Sequence, residues 1–94
     1  MYLSSRAGEF RWCSHAVERW QERFGGINIT SEFHTATLAS KNAKKKIRAL
    51  TPFNAAKYMN GFVGRYYLIS RSNIVYVIDS NTSDVVTVFH LYGD

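Results

Sequence analysis

Ninety-four residues, 46% hydrophobic and 15% aromatic, suit one folded domain around a single core and exclude a disordered tail. No run approaches the roughly 18 uninterrupted apolar residues of a membrane span, and the opening "MYLSSRAGEF" lacks the apolar centre of a signal peptide, so the expected location is the cytoplasm. Cys13 is the single cysteine, which excludes an internal disulfide and a cysteine-pair zinc site. The net charge of +5 is concentrated, since residues 41 to 48 hold Lys41, Lys44, Lys45, Lys46 and Arg48 without an acid and all other charges cancel.

The first predicted element is a helix that begins between Gly8 and Ser14, with Ser14 available as a cap, and ends at Gly25-Gly26. Along it Ala16, Val17, Trp20 and Phe24 form an apolar arc, and His15, Arg19 and Arg23 recur every fourth residue as an adjacent polar stripe. A second helix is expected after Thr30 or Ser31. Phe33, Ala36, Ser40, Ala43, Ile47 and Leu50 continue it at helical spacing up to Pro52. Lys41, Lys44, Lys45 and Arg48 fall to one side of that stripe, so the basic block reads as a helix face, either a polyanion-binding surface or a solvated one.

After Pro52 the pattern changes. Asn60-Gly61 between two runs rich in aromatic and β-branched residues predicts a hairpin, with a short helix from Pro52 to Met59 as the competing reading. Two further strands are expected near residues 74 to 79 and 84 to 91, separated by turns at Ser72-Asn73 and Ser80 to Ser83. The expected architecture is therefore α+β, one domain over residues 1 to 94, with two N-terminal helices packed on one face of a three- to four-stranded antiparallel β-meander.

Turn lengths predict the faces of that meander. Leu68, Val75, Val77, Val86 and Val88 fall on an aliphatic face under the helices, with His90 beside them. Arg65, Tyr67, Arg71, Tyr76, Thr87 and Phe89 fall on an opposite face that is aromatic, basic and hydroxyl-bearing. Such a face can stack bases and pair phosphates.

The sequence contains no "GxxxxGK", no "HExxH" and no serine elbow, and three scattered histidines lack the spacing of a metal site. What its residues could support is RNA cleavage without metal or other cofactor: His15 as acid or base, Arg19 and Arg65 clamping the phosphate, Thr87 or Tyr67 hydrogen-bonding it. RNA contacts are expected from Arg23, Lys41, Lys44, Lys45, Lys46, Arg48, Tyr67 and Arg71.

"SHAVERWQER", followed by a second helix and the run "GRYYLISRSNIVYVIDSNTSDVVTVFHL", resembles small bacterial and phage domains of the RelE-like, barnase-related ribonuclease superfamily. The likeness is to a branch that opens with "HAxxRxxxR" and closes on a strand like "VVTVFHL", and it spans His15 to Leu91. It places His15, Arg19 and Arg23 on the opening motif and Thr87 on the closing strand, with Arg65 and His90 where such sheets tend to carry polar catalytic residues. The lysine block and "ERFGGIN" lie outside the pattern. The resemblance implies a toxin-like, metal-independent endoribonuclease acting on single-stranded RNA in the cytoplasm of a bacterial host cell, often held by an antitoxin. The alternative is a non-catalytic module that binds nucleic acid or a host protein, such as a phage-encoded inhibitor.

Overall fold

The computed structural model describes residues 1 to 93. Among them are four helices and a six-stranded mixed sheet, in the chain order β1 (Tyr2–Ser5), β2 (Gly8–Trp12), α1 (Ser14–Phe24), α2 (Ile29–His34), β3 (Thr37–Leu38), α3 (Lys41–Leu50), α4 (Pro52–Tyr58), β4 (Arg65–Ile69), β5 (Ile74–Asp79) and β6 (Asp84–His90). The strands lie in the order β1-β2-β6-β5-β4-β3, antiparallel except for the β2–β6 pair. This corrects the expected meander with helices on one face. The sheet is larger, mixed in direction and covered on both sides.

Each difference has a local cause. The first twelve residues form a hairpin: Gly8 takes φ 123°, a conformation open to glycine, and the Ser5 hydroxyl both donates to the Gly8 carbonyl and accepts from the Ala7 N–H. Phe10 and Trp12 alternate inward on β2, too short an alternation to stand out in the sequence. Ser14 is the first residue of α1 and not its cap, a place taken by Cys13.

The long second helix is in fact two, joined by an edge strand. Asn28 caps α2 through the Ser31 N–H, and Ser40 caps α3 through the Ala43 N–H. Phe33 and Ala36 pack with α1 against one face of the sheet, whereas Ala43 and Ile47 pack against the other. The apolar spacing is continuous while the chain crosses from one side to the other through β3. The Pro52–Tyr58 segment is helical, with Pro52 at its first position, Ala55 buried and Met59 as C-cap, so the hairpin expected at Asn60-Gly61 does not form.

The central registers also shift. The β4–β5 turn closes on the Ser70 N–H and the Ile74 carbonyl, which leaves a loop of three residues with Asn73 at φ 62°, so Leu68 faces Tyr76 in place of Val77. Asp79 faces Asp84, as a four-residue loop requires, but a bulge at Val86 then pairs Val77 with Thr87. One face consequently carries Leu68, Ile74, Tyr76, Val88 and His90 toward α1 and α2. The other carries Tyr67, Val75, Val77, Thr87 and Phe89 toward α3 and α4. The sheet curls far enough for the Arg6 N–H, just after β1, to donate to the Ala36 carbonyl, just before β3, at 3.1 Å.

A buried carboxylate ties α2 to the β4–β5 turn. Glu32, 3% exposed, accepts from the Ser72 N–H at 2.9 Å and the Ser72 hydroxyl at 2.8 Å, while Tyr76 Oη donates to Ser70 Oγ at 3.0 Å. Burial alone would raise the Glu32 pKa, but the hydroxyl of Ser70, the two donors of Ser72 and the charge of Arg71 outweigh it and hold the carboxyl below its usual value. A lowered folded-state pKa means that this stabilisation is complete above the ordinary value of 4.5 and lost as the pH falls through the lower, folded one. Glu32→Gln should cost about 1–3 kcal/mol at neutral pH. Urea unfolding measured across the acid range should show a flatter pH dependence for the variant than for the wild type.

Candidate functional site

β6 is central in the sheet yet open on its β2 side along most of its length. Its ladder with β2 covers only Arg11 opposite Asp84 and Trp12 opposite Val85, after which the chain leaves β2 for α1. From Val86 onward no strand among the described residues lies on that side. Helix α1 runs along the gap instead: Cys13 Sγ points at the Val85 carbonyl at 3.3 Å, Arg23 Nη1 donates to the Val88 carbonyl at 2.6 Å, and the Phe24 and His90 rings lie 6.3 Å apart. The Arg23 guanidinium thus satisfies an edge carbonyl that a strand would otherwise pair.

At the C-terminal end of this open edge lies a cleft of about 450 Å³, lined by Arg23, Phe53, Asn54, Phe89, His90 and Gly93. It is bounded by α1 on one face of the sheet and the start of α4 on the other. Tyr58, one turn further along α4, stacks on Phe89 with ring centroids 6.2 Å apart and planes at 16°. Lys57 lies 5.4 Å from the Tyr58 ring centroid. Burial would raise the Tyr58 pKa, but Lys57, the Thr87 hydroxyl and the Arg23 charge together lower it below its ordinary value. Thr87 itself is fully buried, and among the described residues its hydroxyl has no partner at hydrogen-bond distance. His90 Nδ1 accepts from the Tyr92 N–H at 3.1 Å, which places the proton of the neutral imidazole on Nε2.

The sequence-predicted residues divide among several places. Arg23 and His90 line the cleft, whereas Thr87 is fully buried on β6, opposite Val77. His15 is exposed on the first turn of α1, eight residues before Arg23 and so about 12 Å away along the axis. Arg19 is half-buried and paired with Glu22 at 2.9 Å. Arg65 belongs to β4, two strands from β6, and on the face opposite α1; its Nη1 donates to the Tyr58 carbonyl at 2.8 Å. His15, Arg19 and Arg65 therefore do not converge. Tyr67 is buried beneath α3 and α4, where burial raises its pKa against the opposing charges of Arg48 and Arg65. Arg71 sits in the β4–β5 turn, its N–H on Thr35 Oγ1.

The expected site lacks Asn54, Lys57 and Tyr58, because Lys57 and Tyr58 fall in the run that leads into the expected hairpin. Read as a helix, their i, i+3, i+4 spacing places all three on one face. The lysine block behaves as its wheel implied: α3 buries Ile47 and leaves Lys41, Lys45, Lys46 and Arg48 exposed and Lys44 half-exposed. Between Glu32 and Asp79 the chain has no acid at all, yet it carries Lys41, Lys44, Lys45, Lys46, Arg48, Lys57, Arg65 and Arg71. The α3–α4 layer is a cationic face, and among the described residues the ion pairs, Arg11–Asp84 and Arg19–Glu22, both lie outside it.

Among the described residues no three His, Cys, Asp or Glu side chains gather to hold a metal, and no helix is long and apolar enough to cross a membrane. Comparison with protein-family models, curated proteins and solved structures finds no match to this chain.

Proposed function

We propose that the protein binds single-stranded RNA over its acid-free α3–α4 layer and cleaves it by metal-independent transesterification in the cleft at the open end of β6. The observation that carries this reading is the set of groups around Tyr58. The charges of Arg23 and Lys57 move the phenol toward its charged form, and its ring stacks on Phe89, which lines the cleft together with Arg23 and His90. Cleavage needs a base for the 2′-hydroxyl and cations for the phosphorane. Tyr58 takes the 2′-proton and O2′ attacks phosphorus. Arg23 and Lys57 stabilise the charge that develops on the phosphate. The Nε2–H of His90 hydrogen-bonds the departing 5′-oxygen, which takes its proton from solvent.

This reading relocates proton transfer from His15 to Tyr58. Purified protein is expected to cut single-stranded RNA in the presence of EDTA, leaving a 2′,3′-cyclic phosphate. Arg23→Ala should lower the rate about 10²-fold, the worth of one stabilising donor, and His15→Ala should leave it unchanged. Intact RNA after prolonged incubation with folded wild-type protein would end the catalytic reading.

A further inference from the structure

Beyond the far end of α4 the chain makes a short loop whose side chains have no place in the core. Phe62 is 45% exposed and Val63 94% exposed. Gly61 and Gly64 flank them at φ 79° and 73°, and the Gly64 carbonyl is held by the Ser80 N–H at 2.8 Å and the Ser80 hydroxyl at 2.7 Å. The Phe62 ring is fixed from one side: the Arg65 guanidinium lies over it, 3.9 Å from the centroid, and is itself anchored on the Tyr58 carbonyl. Arg48, from the lysine-rich helix, reaches the same loop through Asn60 Oδ1 at 3.3 Å. The result is an exposed aromatic ring backed by one guanidinium, with a second beside it, on the cationic α3–α4 side of the sheet, where Asp79 opposite Arg65 is the neighbouring carboxylate.

We infer that Phe62 is a stacking platform for an unpaired nucleobase of the bound strand, with Arg65 holding the ring and Arg48 pairing the flanking phosphate. The inference rests on the RNA-binding part of the proposed function and not on cleavage. An unpaired base is the ligand that suits an aromatic ring inside a cationic surface, because stacking tolerates any base while the cations follow the backbone. The platform also lies in line with the cleft. Helix α4 joins the two, with Asn54 in the cleft and the Tyr58 carbonyl on Arg65, a span of about 10 Å for seven residues. A strand with its reactive phosphate in the cleft can therefore run along α4, past Lys57, and stack a nearby base on Phe62. In this arrangement Arg65 supports the platform and does not touch the reacting phosphate.

The test uses 2′-O-methyl oligonucleotides, which bind but cannot undergo transesterification, with affinity read by fluorescence anisotropy on the whole chain. Phe62→Ala should weaken single-strand binding about tenfold, and Phe62→Trp should restore it. Neither should alter the dependence of affinity on salt, because no charge changes, whereas neutralising Lys44, Lys45 and Lys46 together should flatten that dependence by about 0.7 for each phosphate left without its cation. Inorganic polyphosphate, which carries the charge without the bases, should bind wild type and Phe62→Ala equally. Single-strand binding that survives Phe62→Ala would overturn the platform and leave RNA binding intact. Equal weakening for polyphosphate and oligonucleotide would show a surface defect instead of stacking, and would overturn it as well. Binding that depends on Phe62 in a protein that never cleaves RNA would uphold the platform and remove only the catalytic reading.

Discussion

Tyr58→Phe is expected to slow RNA cleavage by about 10²- to 10⁴-fold, the usual worth of a general base, with little change in stability. Only a hydroxyl is removed, and the ring still stacks on Phe89. The pH profile should carry a second signature. A base must be deprotonated to act, so the rate should rise with pH and level off below the ordinary tyrosine value of 10, in the direction that Lys57, Thr87 and Arg23 move it. Lys57→Gln should push that rising limb to higher pH, which a merely structural lysine would not do. If Tyr58→Phe cleaves at the wild-type rate while His15→Ala is inactive, proton transfer belongs to the exposed first turn of α1 and the cleft has another purpose.

The largest stability effect is expected at Trp20. Its ring stacks on Tyr76 with centroids 6.2 Å apart and planes at 18°, meets Trp12 edge-on at 5.8 Å and Phe24 at 5.1 Å, and donates Nε1–H to the Ile27 carbonyl at 3.2 Å. Removing it opens a void at the centre of the α1–α2 side of the core and leaves the Ile27 carbonyl short of a donor. Trp20→Ala should therefore cost about 3–5 kcal/mol, a large share of the roughly 5–15 kcal/mol that holds a domain of this size folded. Urea denaturation with calorimetry measures it. A decrease under about 1 kcal/mol would show that neighbouring rings close the void.

Elements with a strong local signal were legible in the sequence. The apolar arc of Ala16, Val17, Trp20 and Phe24 is the buried side of α1, and strands stand near residues 74 to 79 and 84 to 90 as their β-branched runs implied. What failed depended on information that periodicity does not hold. Phe33 to Leu50 keep helical spacing, yet nothing in that spacing tells that Ala36 and Ala43 bury against opposite faces of one sheet. Asn60-Gly61 is a strong turn pair, but Pro52 and the alanines that follow it, Ala55 and Ala56, decide the segment as a helix that ends at Tyr58, ahead of the pair. The candidate site inherited both errors. His90 and Arg23 stood out by residue type, whereas Tyr58 and Lys57 join them only once α4 is a helix lying beside β6. The bulge at Val86 is the subtlest case, since one unpaired residue separates a correct register near the turn from a shifted one beyond it.

The position of β6 also bears on how the chain finds this fold. It is the sixth strand in sequence but the third in space, so β1 and β2 have no sheet to join until residues 84 and 85 reach Arg11 and Trp12. The antiparallel run from β4 to β6 closes through short local turns and can assemble early. Docking the N-terminal hairpin requires closing a loop of nearly the whole chain, which costs entropy before any contact repays it. A ribosome-bound chain can pair β1 with β2 long before it can use them. Folding to completion waits on the final strand, and the hairpin's exposed edge must stay unpaired with other chains until then.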